Sequence, residues 1–268
     1  MIKAKALLVG LKEINPANYN RWNGRNGCAG CELDVENLQK ILEPLNYNLK
    51  TLKTSQATAE NILKELENAA SILQQGDIFV FFYAGHGGQQ PDENDDEPDG
   101  RDETLMAYDR EIIDDELNKI WLKMKPGVRI VMISDSCNSG SNYRCRSKDF
   151  SNPSPIVPIP DQKTVEEMKA QMIHMGGCRD GFSSTGHPEG GEFTLALVKA
   201  WQQGGFEWNY QQLYEKTCDL ITTHQKIQYT EYGPVTPEFR NQKPFSVEMD
   251  GRKTEKLKNK KPIKGGEK

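Results

Sequence analysis

One histidine and one cysteine in this sequence have surroundings that suit covalent chemistry. His86 lies in Ala84-Gly85-His86-Gly87-Gly88, directly after the apolar run 78–83, and Cys137 lies in Asp135-Ser136-Cys137-Asn138-Ser139-Gly140, directly after the run 128–134. A thiolate is a strong nucleophile, and an imidazole within reach can take the thiol proton and later give it to a departing amine. The small neighbours leave backbone N–H groups unshielded. The amides of Gly87 and Cys137 are therefore candidates to hold the oxyanion of a tetrahedral intermediate. Taken singly, His86 reads as an ordinary loop histidine and Cys137 as a small buried apolar residue, because free cysteine is among the most buried residue types. Their pairing at two strand ends outweighs those readings.

Such a pair needs a scaffold that brings two strand ends together. The runs 4–9, 78–83 and 128–134 are short, β-branched or aromatic, and bounded by Gly, Pro or Asp, as buried strands are. Segments 48–52 and 104–107 are less strongly patterned strand candidates. Between them, Val35/Leu38/Ile41/Leu42, Ile62/Leu63/Leu66/Ala70/Leu73 and Leu117/Ile120/Trp121/Met124 recur at helical spacing. This alternation predicts an α/β fold with a mostly parallel central β-sheet, helices on both faces and right-handed crossovers. Working groups in such sheets sit at the carboxyl ends of strands, which puts His86 and Cys137 on small-residue loops beyond their strands. Pro153, Pro155, Pro158 and Pro160 then exclude regular structure from 151–160, which reads as an exposed connection. A further strand is expected at 172–176 and helices at 193–203 and 210–223.

The 268 residues, 36% hydrophobic and 27% charged, are enough for one principal domain with a large core. The first apolar stretch ends at Gly10, too short for a signal peptide or a membrane span, so a soluble cytoplasmic protein without a membrane partner is expected. Six cysteines without a secretory signal read as reduced thiols. The net charge of -5 is unevenly spread: residues 92–103 carry eight carboxylates and one arginine, and residues 251–268 carry eight basic side chains and two acidic ones. The basic end has no aromatic residue and no helical apolar face. It reads as a solvated tail, and nucleic acid is not an expected partner. The acidic run fails as an EF-hand because Glu97 stands where that loop requires glycine.

The pair of motifs, Tyr83-Ala84-Gly85-His86-Gly87 and Asp135-Ser136-Cys137-Asn138-Ser139-Gly140, resembles the caspase, metacaspase and paracaspase group. Support comes from Asp102-Glu103-Thr104-Leu105 and Gly177-Cys178-Arg179-Asp180, and from the spacing of about 50 residues between histidine and cysteine. The resemblance covers roughly residues 1–240. The Asp-Ser-Cys-x-Ser-Gly form is that of metacaspases and their bacterial relatives, not the Gln-Ala-Cys of animal caspases, while Ala84 stands where some metacaspases carry serine. The resemblance implies a caspase-like fold over 1–243, divided into a large portion 1–145, a proline-rich connection 146–165 and a small portion 166–243, with 244–268 as a basic flexible tail. It implies a cysteine endopeptidase using a Cys137/His86 dyad, with no cofactor needed for the chemistry.

Metacaspases resemble trypsin in reading a basic substrate residue with acidic ones. Here Asp135, two residues before the cysteine, and Asp34, in a Cys31-Glu32-Leu33-Asp34 segment similar to the family's Cys-x-x-Asp, would face the pocket for Arg or Lys; Asp180 is a third candidate. Asp34 also has the plain reading of a carboxylate favoured by its own helix dipole; the resemblance tips it to the pocket. The expected partner is a protein or peptide with a basic residue before the cut, and a regulatory protein partner is left open. Calcium activation, frequent in metacaspases, would fall to Asp102, Asp114 and Asp115, although Arg144 stands near the place of a further family aspartate and Asp114-Asp115 can equally be a helix N-cap. Cys28-Ala29-Gly30-Cys31 has redox and zinc spacing, but no second pair follows and no strand directly precedes it. A pocket-wall role for Cys31 ranks above both. Arg144, Arg146 and Lys148 offer a self-cleavage site before the connection, or are ordinary solubilising charges. The competing readings are a catalytically silent scaffold that holds basic peptides, and a peptidase that prefers Asp.

Overall fold

A computed structural model describes residues 2–91, 101–138, 160–177, 189–222 and 227–248. Five parallel strands form the centre: β1 (Ala4–Gly10), β2 (Asn48–Lys53), β3 (Ile78–Pro91), β6 (Arg129–Asn138) and β7 (Gln171–Gly177), in the order β2-β1-β3-β6-β7. An edge strand β8 (Ile227–Tyr232) joins β7 antiparallel. Beyond His86, β3 also pairs antiparallel with β4 (Arg101–Met106), which pairs with β5 (Glu111–Ile113).

Side-chain alternation along these strands builds two cores. Phe79, Phe81 and Tyr83 of β3 with Ile130 and Met132 of β6 pack towards α2 (Ala59–Ile72) and α3 (Asp114–Trp121). Val80, Phe82 and Ala84 with Val131 and Ile133 pack on the opposite face, with α1 (Cys31–Leu42), α5 (Glu192–Gln202) and α6 (Tyr210–Leu220). Both faces being covered explains why the strands read as continuous apolar runs and not as alternating ones. The expected α/β class, with helices on both faces, is observed.

Four expectations require correction. His86 and Cys137 are not on loops: β3 continues through His86 to Pro91 and β6 through Cys137 to Asn138. Glycines lower strand propensity but keep their backbone groups, and here β4 pairs with Gly87 to Pro91 and holds the glycine-rich stretch extended. Asp114 and Asp115 do not cap α3; the N-cap is Ile113, and they are its first two helical residues. A short helix α4 (Gln162–Glu167), capped by Asp161 accepting from Thr164 N–H, crosses the expected boundary at 165/166. The domain does not end at 243 either, because Phe245 is fully buried and its amide donates to the Tyr210 hydroxyl at 2.9 Å. The proline-rich stretch 151–159, the Arg144–Lys148 region and residues 249–268 lie outside the described residues.

Four elements were not anticipated: β5, α4, β8 and the short α7 (Pro237–Asn241). In β8 only Ile227 and Tyr232 are buried, so its pattern is too weak to stand out in the sequence. The carboxy-terminal segment is tied down by Arg129, a fully buried guanidinium that donates to the carbonyls of Gly76 (2.7 Å), Val247 (2.7 Å) and Ser246 (3.3 Å) and to Gln242 Oε1. Burial holds its pKa below the ordinary value, with Tyr210, Tyr47 and Asp77 opposing. Arg129→Ala would leave several buried acceptors unmatched and is expected to lower stability by about 3–5 kcal/mol, read as a lower urea midpoint with Arg129→Lys intermediate. An unchanged midpoint would mean that 244–248 contributes nothing to the fold.

Candidate active site

The parallel register of β3 and β6 pairs Ala84 with Asp135, Gly85 with Ser136, His86 with Cys137 and Gly87 with Asn138. Two residues apart on a pleated strand means the same face, so His86 shares the parity of Phe82 and Ala84, and Asp135 that of Val131 and Ile133. His86 and Asp135 therefore belong to the face that carries α1 and α5, and the backbone of Cys137 is the register partner of His86. Gly87, the other expected oxyanion donor, pairs with Leu105 of β4 as well as with Asn138.

The loop 11–30 between β1 and α1 closes over His86. Leu11 N–H donates to Ala84 O (2.9 Å), the Tyr19 hydroxyl to Ala107 O (2.7 Å), and Asn15 N–H to Tyr108 O (2.8 Å), which carries the loop across the carboxyl end of β3 to the β4–β5 turn. This places Gly24 O 2.6 Å from His86 Nε2, and the Trp22 ring centroid 4.9 Å from the imidazole. Gly24 has φ of +67, and a Cβ there would approach His86 Cδ2, so both backbone and space favour glycine. A carbonyl can only accept; Nε2 therefore carries a proton, and Nδ1 is the proton-accepting nitrogen of the neutral ring. From within β3, the Tyr83 hydroxyl lies 2.6 Å from His86 O and 2.9 Å from Met106 O, bracing the strand beneath the ring. Burial disfavours the imidazolium, yet charge and hydrogen bonding from Cys28 and the Gly24 carbonyl raise the His86 pKa above its ordinary value.

The second feature is a pair of buried carboxylates at the amino end of α5. That helix starts after Gly190-Gly191 with no side-chain cap of its own. Both oxygens of Asp34 accept from Gly191 N–H (3.0 and 2.9 Å), and Asp135 Oδ2 accepts from Thr194 N–H (3.0 Å) and Thr194 Oγ1 (2.7 Å). Unmatched first-turn donors and the positive end of the dipole are thus met by carboxylates from α1 and β6. Asp34 serves a neighbouring helix and not only its own. Burial pushes Asp34 up to about 8, helped by the Asp135 charge, opposed by the Gly191 N–H and aided again by Cys28. Burial also raises Asp135, to about 6; the Thr194 hydroxyl and N–H pull it down while Cys28 and Glu192 push it up. A cation entering between them would relieve both.

Gly190, with φ of +132, and Gly191 leave room for these groups: a Cβ on the first would collide with Asp34 Oδ1 and on the second with Asp135 Oδ2. Gly191→Ala is expected to displace the Asp135 carboxylate and to cost about 1–3 kcal/mol, measured as a drop in thermal midpoint.

Cys31, expected as a pocket wall, is buried at the first position of α1, and its thiol is held well above the ordinary value by its hydrogen bond to Cys28 and by burial, with Cys28, Asp34 and Asp135 adding to the effect. Asp180 lies outside the described residues. His174 is buried with Ser134 Oγ 2.9 Å from its Nε2, and burial lowers its pKa to about 4, as a structural histidine would behave. The calcium candidates do not come together as one set. Asp115 pairs with Lys119 at 3.2 Å, and among the described residues no group of three or more His, Cys, Asp or Glu is placed to hold a metal ion. Trp22, Gly24, Gly190, Gly191 and Thr194 were missed, and Cys28 was noted only for its Cys-x-x-Cys spacing; of the missed residues only Gly190-Gly191, directly before a helical run, left a signal in the sequence, as a helix-start motif.

The caspase domain family matches residues 4–244, and the chain belongs to that family. Metacaspase-1A of Aspergillus niger is 36% identical over 154 residues, and metacaspase-1 of Emericella nidulans is 37% identical over 154 residues. In each case the match covers 52% of this chain and 36% of the relative, so the chain spans about a third of the length of these curated relatives. A crystal structure of protein GSU0716 from Geobacter sulfurreducens superimposes with a TM-score of 0.77 at 31% identity, covering 91% of this chain and 99% of that one. Among the described residues no helix is long and apolar enough to cross a membrane.

Proposed function

We propose that this chain is a cysteine endopeptidase that cleaves proteins after Arg or Lys, with Cys137 as nucleophile and His86 as acid and base. The observation that carries the reading is the backbone register of β3 and β6, which pairs His86 with Cys137, together with the buried carboxylates Asp34 and Asp135 beside it. His86, donating from Nε2 to the Gly24 carbonyl, takes the Cys137 proton at Nδ1. The thiolate adds to the scissile carbonyl while the amides of Gly87 and Cys137 hold the oxyanion. The imidazolium then protonates the departing amine, and the neutral ring deprotonates the water that releases the acyl group. The raised His86 pKa favours the charged form that this cycle needs halfway through.

Before the cut, a guanidinium or ammonium is recognised by Asp34 and Asp135, with Asp180 as a third candidate. Two buried carboxylates that disfavour each other's charge favour a cation over a neutral or acidic side chain. The chemistry draws on no cofactor, and calcium activation through Asp102, Asp114 and Asp115 is the question that the calcium arm of the test answers. A reducing compartment such as the cytoplasm suits the thiol nucleophile.

The test is hydrolysis of fluorogenic peptides ending in Arg, Lys or Asp, with calcium or with a chelator, by wild type and Cys137→Ala. Cleavage after Arg and Lys alone, absent in the variant, is expected, together with wild-type fragments from cuts at Arg144, Arg146 or Lys148; loss of cleavage with the chelator would establish calcium activation, and unchanged cleavage would exclude it. Cleavage after Asp would overturn the pocket assignment and keep the peptidase. Binding of arginine peptides without any cleavage would favour the silent scaffold.

A further inference from the structure

The Cys28-x-x-Cys31 motif is not used by the proposed cleavage chemistry, yet it stands against the catalytic histidine. Cys31 N–H donates to Cys28 O at 3.1 Å, closing a four-residue turn directly ahead of α1. Such a turn brings its first and fourth Cα atoms within about 7 Å, the span a disulfide bridges. Both residues are free thiols, 1% and 6% exposed, each close enough to shift the titration of the other, and Cys28 and His86 likewise act on each other. Three groups of matched chemistry are thus gathered in one place: a sulfur facing an imidazole, and a second thiol positioned to reach it.

We propose that Cys28 and Cys31 form a peroxide-reactive dithiol, in which a hydroperoxide oxidises Cys28 and Cys31 resolves the product to an intramolecular disulfide. The Cys28 thiolate attacks one peroxide oxygen, which stays on sulfur as the sulfenic hydroxyl; the O–O bond breaks, and with hydrogen peroxide the other oxygen leaves as hydroxide and takes one proton to become water. The sulfenic acid then condenses with the Cys31 thiol, whose proton departs with the sulfenic hydroxyl as a second water. Two electrons pass from the thiols to the peroxide, and the bond formed is S–S.

The electrostatics match these roles. The hydrogen bond from Cys31 lowers the Cys28 pKa to about 5 against the opposing effect of burial, with His86 lowering it further, whereas Cys31 is held protonated. Cys28 is the attacking sulfur and Cys31 the resolving one. Exposure of 1% selects an oxidant as small as hydrogen peroxide over bulky disulfides. His86 itself is 2% exposed, so the approach to the dithiol is as restricted as the approach to the base. A disulfide leaves no anion on the sulfur beside His86, so the state of the dithiol sets the charge next to the base. That consequence for cleavage rests on the peptidase reading, whereas the dithiol chemistry does not.

The test is peptide mapping of folded protein treated with hydrogen peroxide at pH 6 and alkylated after denaturation, for wild type, Cys28→Ser and Cys31→Ser. No cleavage assay enters, so failure here is separate from failure of the peptidase reading. In wild type the peptide holding both cysteines is expected to be two hydrogens lighter and to resist alkylation until reduced. Cys31→Ser should accumulate a dimedone-trapped sulfenic acid at Cys28, and Cys28→Ser should form no adduct at Cys31. Cys28 should react faster than the exposed Cys218 by about tenfold or more, because the Cys218 pKa is raised. Full alkylation of both cysteines after peroxide, or a disulfide joining Cys28 to Cys137, would overturn the proposal.

Discussion

Cys137→Ala is expected to lower kcat/KM for the best arginine peptide by at least about 10⁴-fold, and His86→Ala by about 10²–10⁴-fold. The cysteine supplies the only covalent route in the proposed cycle. His86 acts twice, on the thiol and on the departing amine, so its loss slows both acylation and the release of the acyl group. Because the two act as one unit, the double variant should be no slower than Cys137→Ala; a further large drop would mean that they act on separate steps. His86→Ala also strips the Gly24 carbonyl of its 2.6 Å partner and should cost about 1–2 kcal/mol of stability, so activity must be compared at temperatures where both proteins are folded. His86→Gln, which can still donate to Gly24, should restore the melting temperature and leave activity lost. Recovery of activity in that variant would assign His86 to positioning and not to proton transfer.

The second large effect is at the carboxylate pair. Asp135→Asn is expected to reduce cleavage after arginine by about 10²–10³-fold, as removal of one buried charge partner costs about 2–5 kcal/mol. Its stability should behave differently from its activity. The amide oxygen can still accept from Thr194, so the α5 amino end stays capped, whereas Asp135→Ala orphans the Thr194 N–H and should melt lower. If Asn and Ala lose stability and activity in parallel, Asp135 is a helix cap and no specificity determinant.

The pH dependence has a definite sign. Asp135 and Asp34 lie at about 6 and about 8, above their ordinary 3.8. The folded protein therefore binds more protons than the unfolded chain between roughly pH 4 and 8, and this pair's contribution to stability falls as pH rises through that window. Cleavage after arginine moves the other way and rises over the same range as both carboxylates ionise. The groups facing the pair are Cys28, Cys31, Glu192, the Gly191 N–H and the Thr194 N–H and hydroxyl. In Asp135→Asn one repelling charge is gone, so the Asp34 titration should move down. An upward movement would mean that the two carboxylates do not interact.

The particular elements show where sequence and structure part. Strands β1, β3 and β6 and helices α1, α2 and α3 were legible because a buried element in a two-faced sheet must be apolar along its length, and a half-buried helix must be apolar every third or fourth residue. Edge strand β8 was not, because a strand half in water needs little of either pattern. His86 and Cys137 stood out by residue type and by following apolar runs, and their resemblance to a family turned type into role.

What the sequence could not carry is everything that depends on chain segments far apart meeting. The register that sets His86 opposite Cys137 comes from ladder hydrogen bonds along β3 and β6, and backbone groups leave no mark in residue identity. That Asp34 serves the start of α5, 157 residues away, required α1 and α5 to pack on the same face of the sheet. The Gly24 carbonyl fixes which imidazole nitrogen carries the proton, and a carbonyl is common to all residues. The same is true of Cys28: a Cys-x-x-Cys spacing states that two thiols are near each other, and only the fold of loop 11–30 over β3 brings one of them to the histidine.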